Sequence, residues 1–208
     1  MSLGGIDINK YYFEKYALLS ICYLLDLKTQ DFEHLDKPDL QSKKLQIGIE
    51  VVQAITEHDG LVNSLVNSYF GKGLSGNEIV HSINRENKKG KFKGLISSYN
   101  DIAVISDTMG LYNSEKHKKL ISEKIREKSR LSTNYQQYKI NGLYCFAHNV
   151  LNETDYPFLL DSCKQSAFDL IFINCIDTIL QWSIPSDNFI KHEISSEHLT
   201  EWKRMAQK

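Results

Sequence analysis

Proline is scarce in this chain. Its three prolines stand against eleven tyrosines and nine phenylalanines, a balance that argues for an ordered protein. Charge of one sign is lacking too: the formal net charge is -1, so the chain as a whole exerts no pull on nucleic acid. No apolar run approaches the length of a membrane span, and no charged-then-apolar signal opens the sequence. The expected location is therefore the cytoplasm, with no membrane partner. Cys22, Cys145, Cys163 and Cys175 lie far apart without a Cys-x-x-Cys pair, which removes a zinc knuckle and a redox motif and leaves free buried thiols. Gly71-Lys72-Gly73-Leu74-Ser75-Gly76 is rich in glycine, but no Gly-Lys-Ser/Thr follows at the spacing of a phosphate loop. It reads as a linker. His34, His58, His81, His117, His192 and His198 show no metal-ligand spacing, and His148, at the end of one strand, suits a loop or core position or a site residue.

What remains is enough for a core. With 208 residues and 41% hydrophobic content, one elaborated α/β domain covering 1–208 is expected, carrying an inserted helical and loop region at about 71–135. Met1 to Gly5 reads as a flexible leader.

The most informative feature is Pro38-Asp39, followed eleven residues after Asp39 by Glu50 inside Leu45-Gln46-Ile47-Gly48-Ile49-Glu50-Val51-Val52. Strand alternation puts Leu45, Ile47, Ile49 and Val51 on one face and Gln46, Gly48, Glu50 and Val52 on the other. The first set reads as core. Ser42-Lys43-Lys44 is a polar turn suited to a hairpin, across which Asp39 and Glu50 could converge. An unpaired acid inside such a strand is costly to bury. A divalent cation is the expected partner, because two carboxylates and a few waters are a protein's usual contribution to a magnesium site. After Val52 the pattern turns helical, with Val52, Ile55, Leu61, Leu65 and Val66 as apolar positions.

Further along, Asn77 to Asn84 suggests a short helix. Leu120, Ile121, Lys124, Ile125, Lys128 and Leu131 mark an amphipathic helix over Glu115 to about Leu131, which sets Lys124 and Lys128 one turn apart beside the apolar stripe. Gly142 to Ala147 and Phe168 to Cys175 read as core strands flanking a helix over Tyr156 to Gln165, and Asp177 to Trp182 as a returning strand. Ser196 to Lys208 reads as a helix docked through Trp202.

Charge is unevenly spread. Residues 1–60 carry six lysines against ten acids, whereas Lys116, Lys118, Lys119, Lys124, Arg126, Lys128, Arg130 and Lys139 face only Glu115, Glu123 and Glu127. Arg85, Lys88, Lys89, Lys91 and Lys93 surround Gly90 and Gly94 in a second basic segment. Positive clusters near an acidic metal centre suit a phosphodiester, with Lys118, Lys119, Lys124 and Lys128 as the candidate nucleic-acid contacts.

An N-terminal helix, Pro-Asp at one strand, the acid of Ile-Gly-Ile-Glu-Val in the next and a helix after it resemble the core of the PD-(D/E)XK nuclease superfamily over residues 11–70. The resemblance implies a restriction-endonuclease-like fold, with a mixed central sheet flanked by helices, and metal-dependent cleavage of DNA. It implies Mg or Mn held by Asp39 and Glu50, with Glu14 of the first helix in the place of an additional acid. One position departs from the pattern. The family's lysine stands two residues after the second acid, where this chain has Val52. Gln53 could orient a water but brings no charge, and Lys124 or Lys128 could supply the charge from the later helix. Two other classes fit the same residues: a nuclease-fold module that binds nucleic acid without cutting it, and a protein-interaction domain with ordinary surface acids. Asp39 also suits a turn cap after proline, Glu50 an edge-strand acid, Glu14 a solvated helix position and Gln53 a structural one.

Overall fold

The structure is a computed structural model that describes residues 11–87, 92, 94–106, 114–148 and 151–208. In chain order its first elements are α1 (Tyr12–Leu24), β1 (Glu33–His34), β2 (Leu40–Ser42), β3 (Ile47–Gln53), α2 (Glu57–Tyr69), α3 (Gly76–Glu86), β4 (Leu95–Tyr99) and β5 (Ile102–Ser106). There follow α4 (Ser114–Leu131), β6 (Ile140–Phe146), α5 (Tyr156–Lys164), β7 (Leu170–Cys175), β8 (Thr178–Ser183), β9 (Asn188–Glu193) and α6 (Ser196–Ala206). The described residues fall into two compact units, one drawn from 55–113 and the other from the segments up to 54 and from 114 onward.

The larger unit is built on a seven-stranded sheet of order β1-β2-β3-β6-β7-β8-β9. β3, β6 and β7 run parallel in its centre, and antiparallel pairs flank them. The expected mixed sheet flanked by helices is present. Alternation sorts its residues by face. Ile47, Ile49, Tyr144, Phe146 and Phe172 pack with α1 and with Trp202 of α6. Leu143, Cys145, Ile171, Ile173 and Trp182 pack with Ile121 and Ile125 of α4 and with Leu159 and Cys163 of α5. Each fully buried aliphatic side chain removes apolar surface worth roughly 1.5–3 kcal/mol. All four cysteines are free and buried.

The smaller unit has its own core, in which Leu65 of α2 and Ile79 and Ile83 of α3 pack with Ile96 and Ile105 of the β4–β5 hairpin. α3 opens with a reciprocal cap between Ser75 and Glu78. Asn100 and Asp101, both at positive φ, make the tight turn between β4 and β5.

Several expectations need adjusting. Val52, read as the start of a helix, is a strand residue, because β3 continues to Gln53 and α2 begins at Glu57. α4, placed by the sequence in the inserted region of about 71–135, belongs to the sheet-bearing unit, since Ile121 and Ile125 bury against the sheet. β4, β5 and β9 were not anticipated. The basic residues Lys88, Lys89, Lys91 and Lys93 lie outside the described residues.

Candidate metal centre

β2 and β3 pair antiparallel with Leu40 opposite Ile49, so the next position outward sets Asp39 against Glu50. β2 ends there. The Asp39 carboxylate takes over the role of the missing strand carbonyl, and its Oδ2 accepts the Val51 N–H at 2.7 Å. The turn that delivers Asp39 is pinned at several points. The Lys37 carbonyl accepts from the Gln136 N–H at 3.1 Å, and the Gln41 side-chain amide donates to the Pro38 carbonyl at 2.8 Å. Tyr138 donates to Gln41 Oε1 at 2.6 Å. Gly48 is required by this close fit: a Cβ there would stand 2.5 Å from the Tyr138 ring and 2.8 Å from Pro38 Cγ.

Glu50 is only 4% exposed, and its two oxygens differ. Oε1 accepts from Lys128 Nζ at 2.6 Å and from the Tyr135 hydroxyl at 3.2 Å. Oε2 accepts from nothing, and among the described residues it is the only buried side-chain nitrogen or oxygen without a hydrogen-bond partner. A buried carboxylate left half-satisfied is costly.

The neighbouring acid registers the same crowding. Asp39 is pushed up from 3.8 to about 7, first by burial and then by the charge of Glu50, with the Val51 N–H opposing, Glu14 adding to the rise and Lys128 reducing it. Burial and the adjacent Glu50 also raise the Tyr135 hydroxyl, so it stays a donor.

α4 places Lys128 by simple helix phase. Ile121 and Ile125 bury the helix on the sheet, and Lys128, three residues after Ile125, projects from the flank of that stripe toward Glu50. Lys124, one turn earlier, pairs instead with Glu127 at 2.8 Å. Lys118 is held by Glu115 and lies 3.4 Å from Asp155, and Lys119 is exposed. Glu14 lies close enough to Asp39 to affect it, and its Oε2 is 3.3 Å from His34 Nδ1 of β1. Gln53 shares its strand parity with Ile49 and Val51 rather than with Glu50, and its Oε1 lies 3.1 Å from His148 Nε2.

The structure therefore gathers Asp39, Glu50 and Lys128, sets Glu14 beside them, and leaves Lys118, Lys124 and Gln53 with other partners. Tyr135 and His34 are additions that the sequence did not flag. Tyr135 follows a short 3-10 turn over Ser132–Asn134, and no spacing connects it to Glu50.

Among the described residues no group of three or more His, Cys, Asp or Glu side chains is arranged to hold a metal ion. The protein's share of such a site is two carboxylates, which suits a cation that keeps several waters. A cation shared by the two carboxylates would give Glu50 Oε2 a partner and reduce the repulsion between Asp39 and Glu50. No protein-family model, no curated protein and no solved structure matches this chain.

Proposed function

We propose that the sheet-bearing unit is a restriction-endonuclease-like, metal-dependent phosphodiester hydrolase that acts on DNA. The observation that carries this reading is the half-satisfied Glu50, whose Oε2 has no partner, next to an Asp39 that burial and then the charge of Glu50 push up to about 7. Magnesium or manganese at Asp39 and Glu50 would acidify its bound water and neutralise the leaving oxyanion.

The remaining work falls to side chains. Asp39, just before β2, and Glu50 of β3 orient the site, and Val51 N–H fixes the Asp39 rotamer. Glu14 adds negative charge from α1, with His34 as its partner. Lys128 supplies from α4 the positive charge that Val52 cannot supply from β3. Its ammonium rests on Glu50 Oε1, within reach of a phosphoryl oxygen that binds there. Tyr135 keeps a donor on Glu50 when Lys128 turns to the phosphate.

The same ion pair supports a second reading, a nuclease-fold module that binds nucleic acid without cleaving it, because Lys128 already compensates Glu50 in part. Calorimetric titration with magnesium and manganese, followed by incubation with plasmid and single-stranded DNA, separates the two. The hydrolase reading expects a site lost in Asp39→Ala and cleavage that requires the metal. Metal binding without cleavage of DNA or RNA leaves the binding module, and absence of both removes the metal centre.

A further inference from the structure

The stretch 135–138, which leads into β6, reaches toward both acids. Tyr135 donates to Glu50 Oε1, and the Gln136 N–H donates to the carbonyl of Lys37, two residues before Asp39. Tyr138 acts at one remove. Its hydroxyl donates to Gln41 Oε1 at 2.6 Å and Gln41 Nε2 donates to the Pro38 carbonyl at 2.8 Å, so a chain of hydrogen bonds runs from Tyr138 to the peptide that joins Pro38 to Asp39. The far end of the chain is anchored. The Asn141 side-chain amide holds the Tyr138 backbone by both of its polar groups, accepting the N–H at 3.0 Å and donating to the carbonyl at 2.8 Å. Asn141 is tied in turn to Asp169, whose Oδ2 accepts the Asn141 N–H at 2.8 Å while the Asp169 N–H donates to the Asn141 carbonyl at 2.8 Å.

The direction of this chain matters. Gln41 is buried, and a side-chain amide presents an acceptor at one end and donors at the other. The Tyr138 proton claims the oxygen and so turns the NH2 group toward the Pro38 carbonyl; the reversed amide would set oxygen against oxygen at the turn. We infer that Tyr138 is a positioning residue for the metal centre: through Gln41 it holds the Pro38–Asp39 turn where the Asp39 carboxylate accepts the Val51 N–H and stands opposite Glu50. The inference rests on the hydrolase reading and adds to it the residue that sets one metal-binding acid against the other. Tyr138 touches neither acid, and its hydroxyl acts as the outer partners of metal ligands do, whose loss costs about 10- to 100-fold in affinity.

The test is Tyr138→Phe in the full chain, which removes the hydroxyl and keeps the ring that fills the space beside Gly48. Manganese affinity measured by calorimetry should fall about tenfold or more, while the melting temperature reports an intact fold. In the metal-free protein, hydrogen exchange at the Val51 amide, which donates to Asp39 Oδ2 at 2.7 Å, should accelerate severalfold as the carboxylate leaves it. Gln41→Met should reproduce both changes, and Tyr138→Phe added to it should cost nothing further. Either readout unchanged in Tyr138→Phe overturns the inference, and additive losses in the double variant overturn the route through Gln41. A wild type that binds no manganese overturns the metal centre itself, and the Val51 amide alone then decides whether Tyr138 positions Asp39.

Discussion

The two faces of the central sheet each bury polar groups, and they treat them differently. On the face covered by α1 and α6, an aromatic core of Tyr16, Phe146, Phe172 and Trp202 surrounds the fully buried Tyr144. Its hydroxyl accepts from Asn174 Nδ2 at 2.8 Å and pairs with Ser20 Oγ at 2.9 Å, while Asn174 Oδ1 accepts the Ile176 N–H. Every member has a partner. On the face covered by α4 and α5, Glu50 keeps one oxygen unpartnered. The sheet satisfies this buried polar cluster, and the Ser122–Ser162 pair between α4 and α5 is satisfied too, so the deficit at Glu50 is local to that carboxylate, where the proposed site lies.

The sharpest break between the faces comes from Glu50→Gln. On the proposed hydrolase reading it removes a charge that would hold the metal, so DNA cleavage should fall about a thousandfold, on the order of 4 kcal/mol of transition-state stabilisation. The apo protein's melting temperature should change little, because the amide oxygen still accepts from Lys128 and Tyr135 while the half-satisfied carboxylate and its repulsion of Asp39 disappear. A loss of stability comparable to the loss of activity would make Glu50 a structural acid.

Lys128→Met tests the same carboxylate from the other side. With Lys128 gone, Glu50 Oε1 retains only Tyr135, and the apo protein should lose on the order of 3 kcal/mol in urea unfolding, the low end for a broken buried pair because the Lys128 side chain is 22% exposed. In the Glu50→Gln background the same substitution should cost far less. Additive costs in the double-mutant cycle would show that the pair carries no coupling.

Asp39 gives the comparison a pH dependence. Its carboxyl stands at about 7 against the usual 3.8, so between these values the folded state keeps a proton that the unfolded state has released. Stability on this account is fully present below about pH 4 and falls as pH rises through 7, by about 2 to 3 kcal/mol once solvent screening is allowed for. Asp39→Asn should flatten that slope in thermal melts taken at pH 5 and pH 8 and should be the more stable protein at the higher value. Metal affinity of the wild type should rise with pH toward 7 and level off above it, as the competing proton leaves.

The smallest effect belongs to the satisfied face. Tyr144→Phe strands Asn174 Nδ2 in the core and should cost roughly 1–2 kcal/mol in denaturant unfolding. Metal titration should be unchanged. A loss of metal binding in this variant would mean that the two faces are not independent.

Much of this arrangement was legible from residue pattern, for identifiable reasons. The period-two alternation within Leu45 to Val52 fixes which side of β3 carries Glu50, and the polar stretch after Ser42 marks a turn, found at residues 43–46 rather than at Ser42-Lys43-Lys44, short enough to bring Asp39 back beside it. The three- and four-residue spacing of α4 limits the approaching lysine to Lys124 or Lys128. Choosing between them needs the roll of α4 on the sheet, which Ile121 and Ile125 set only together with their partners on β6 and β7. Tyr135 was not legible at all, since it reaches Glu50 through a loop whose path depends on where β6 begins. β9 escaped because it is mostly exposed and carries no alternating apolar run. The β4–β5 hairpin did leave a signal, Asn100-Asp101 between the short segments Leu95–Tyr99 and Ile102–Ser106, the residue types a tight turn with positive φ favours.

Gly48 has a consequence for how this sequence can drift. Its missing side chain is the space occupied by the Tyr138 ring and by Pro38, so three positions far apart in the chain share one volume. Replacement of any one of them changes what the other two tolerate: an alanine at 48 demands a smaller residue at 138 or a displaced turn at 38. Pro38, Gly48 and Tyr138 should therefore change together among descendants of this chain, and a lineage that keeps Asp39 and Glu50 but alters one member of the trio alone will have moved the first acid away from the second.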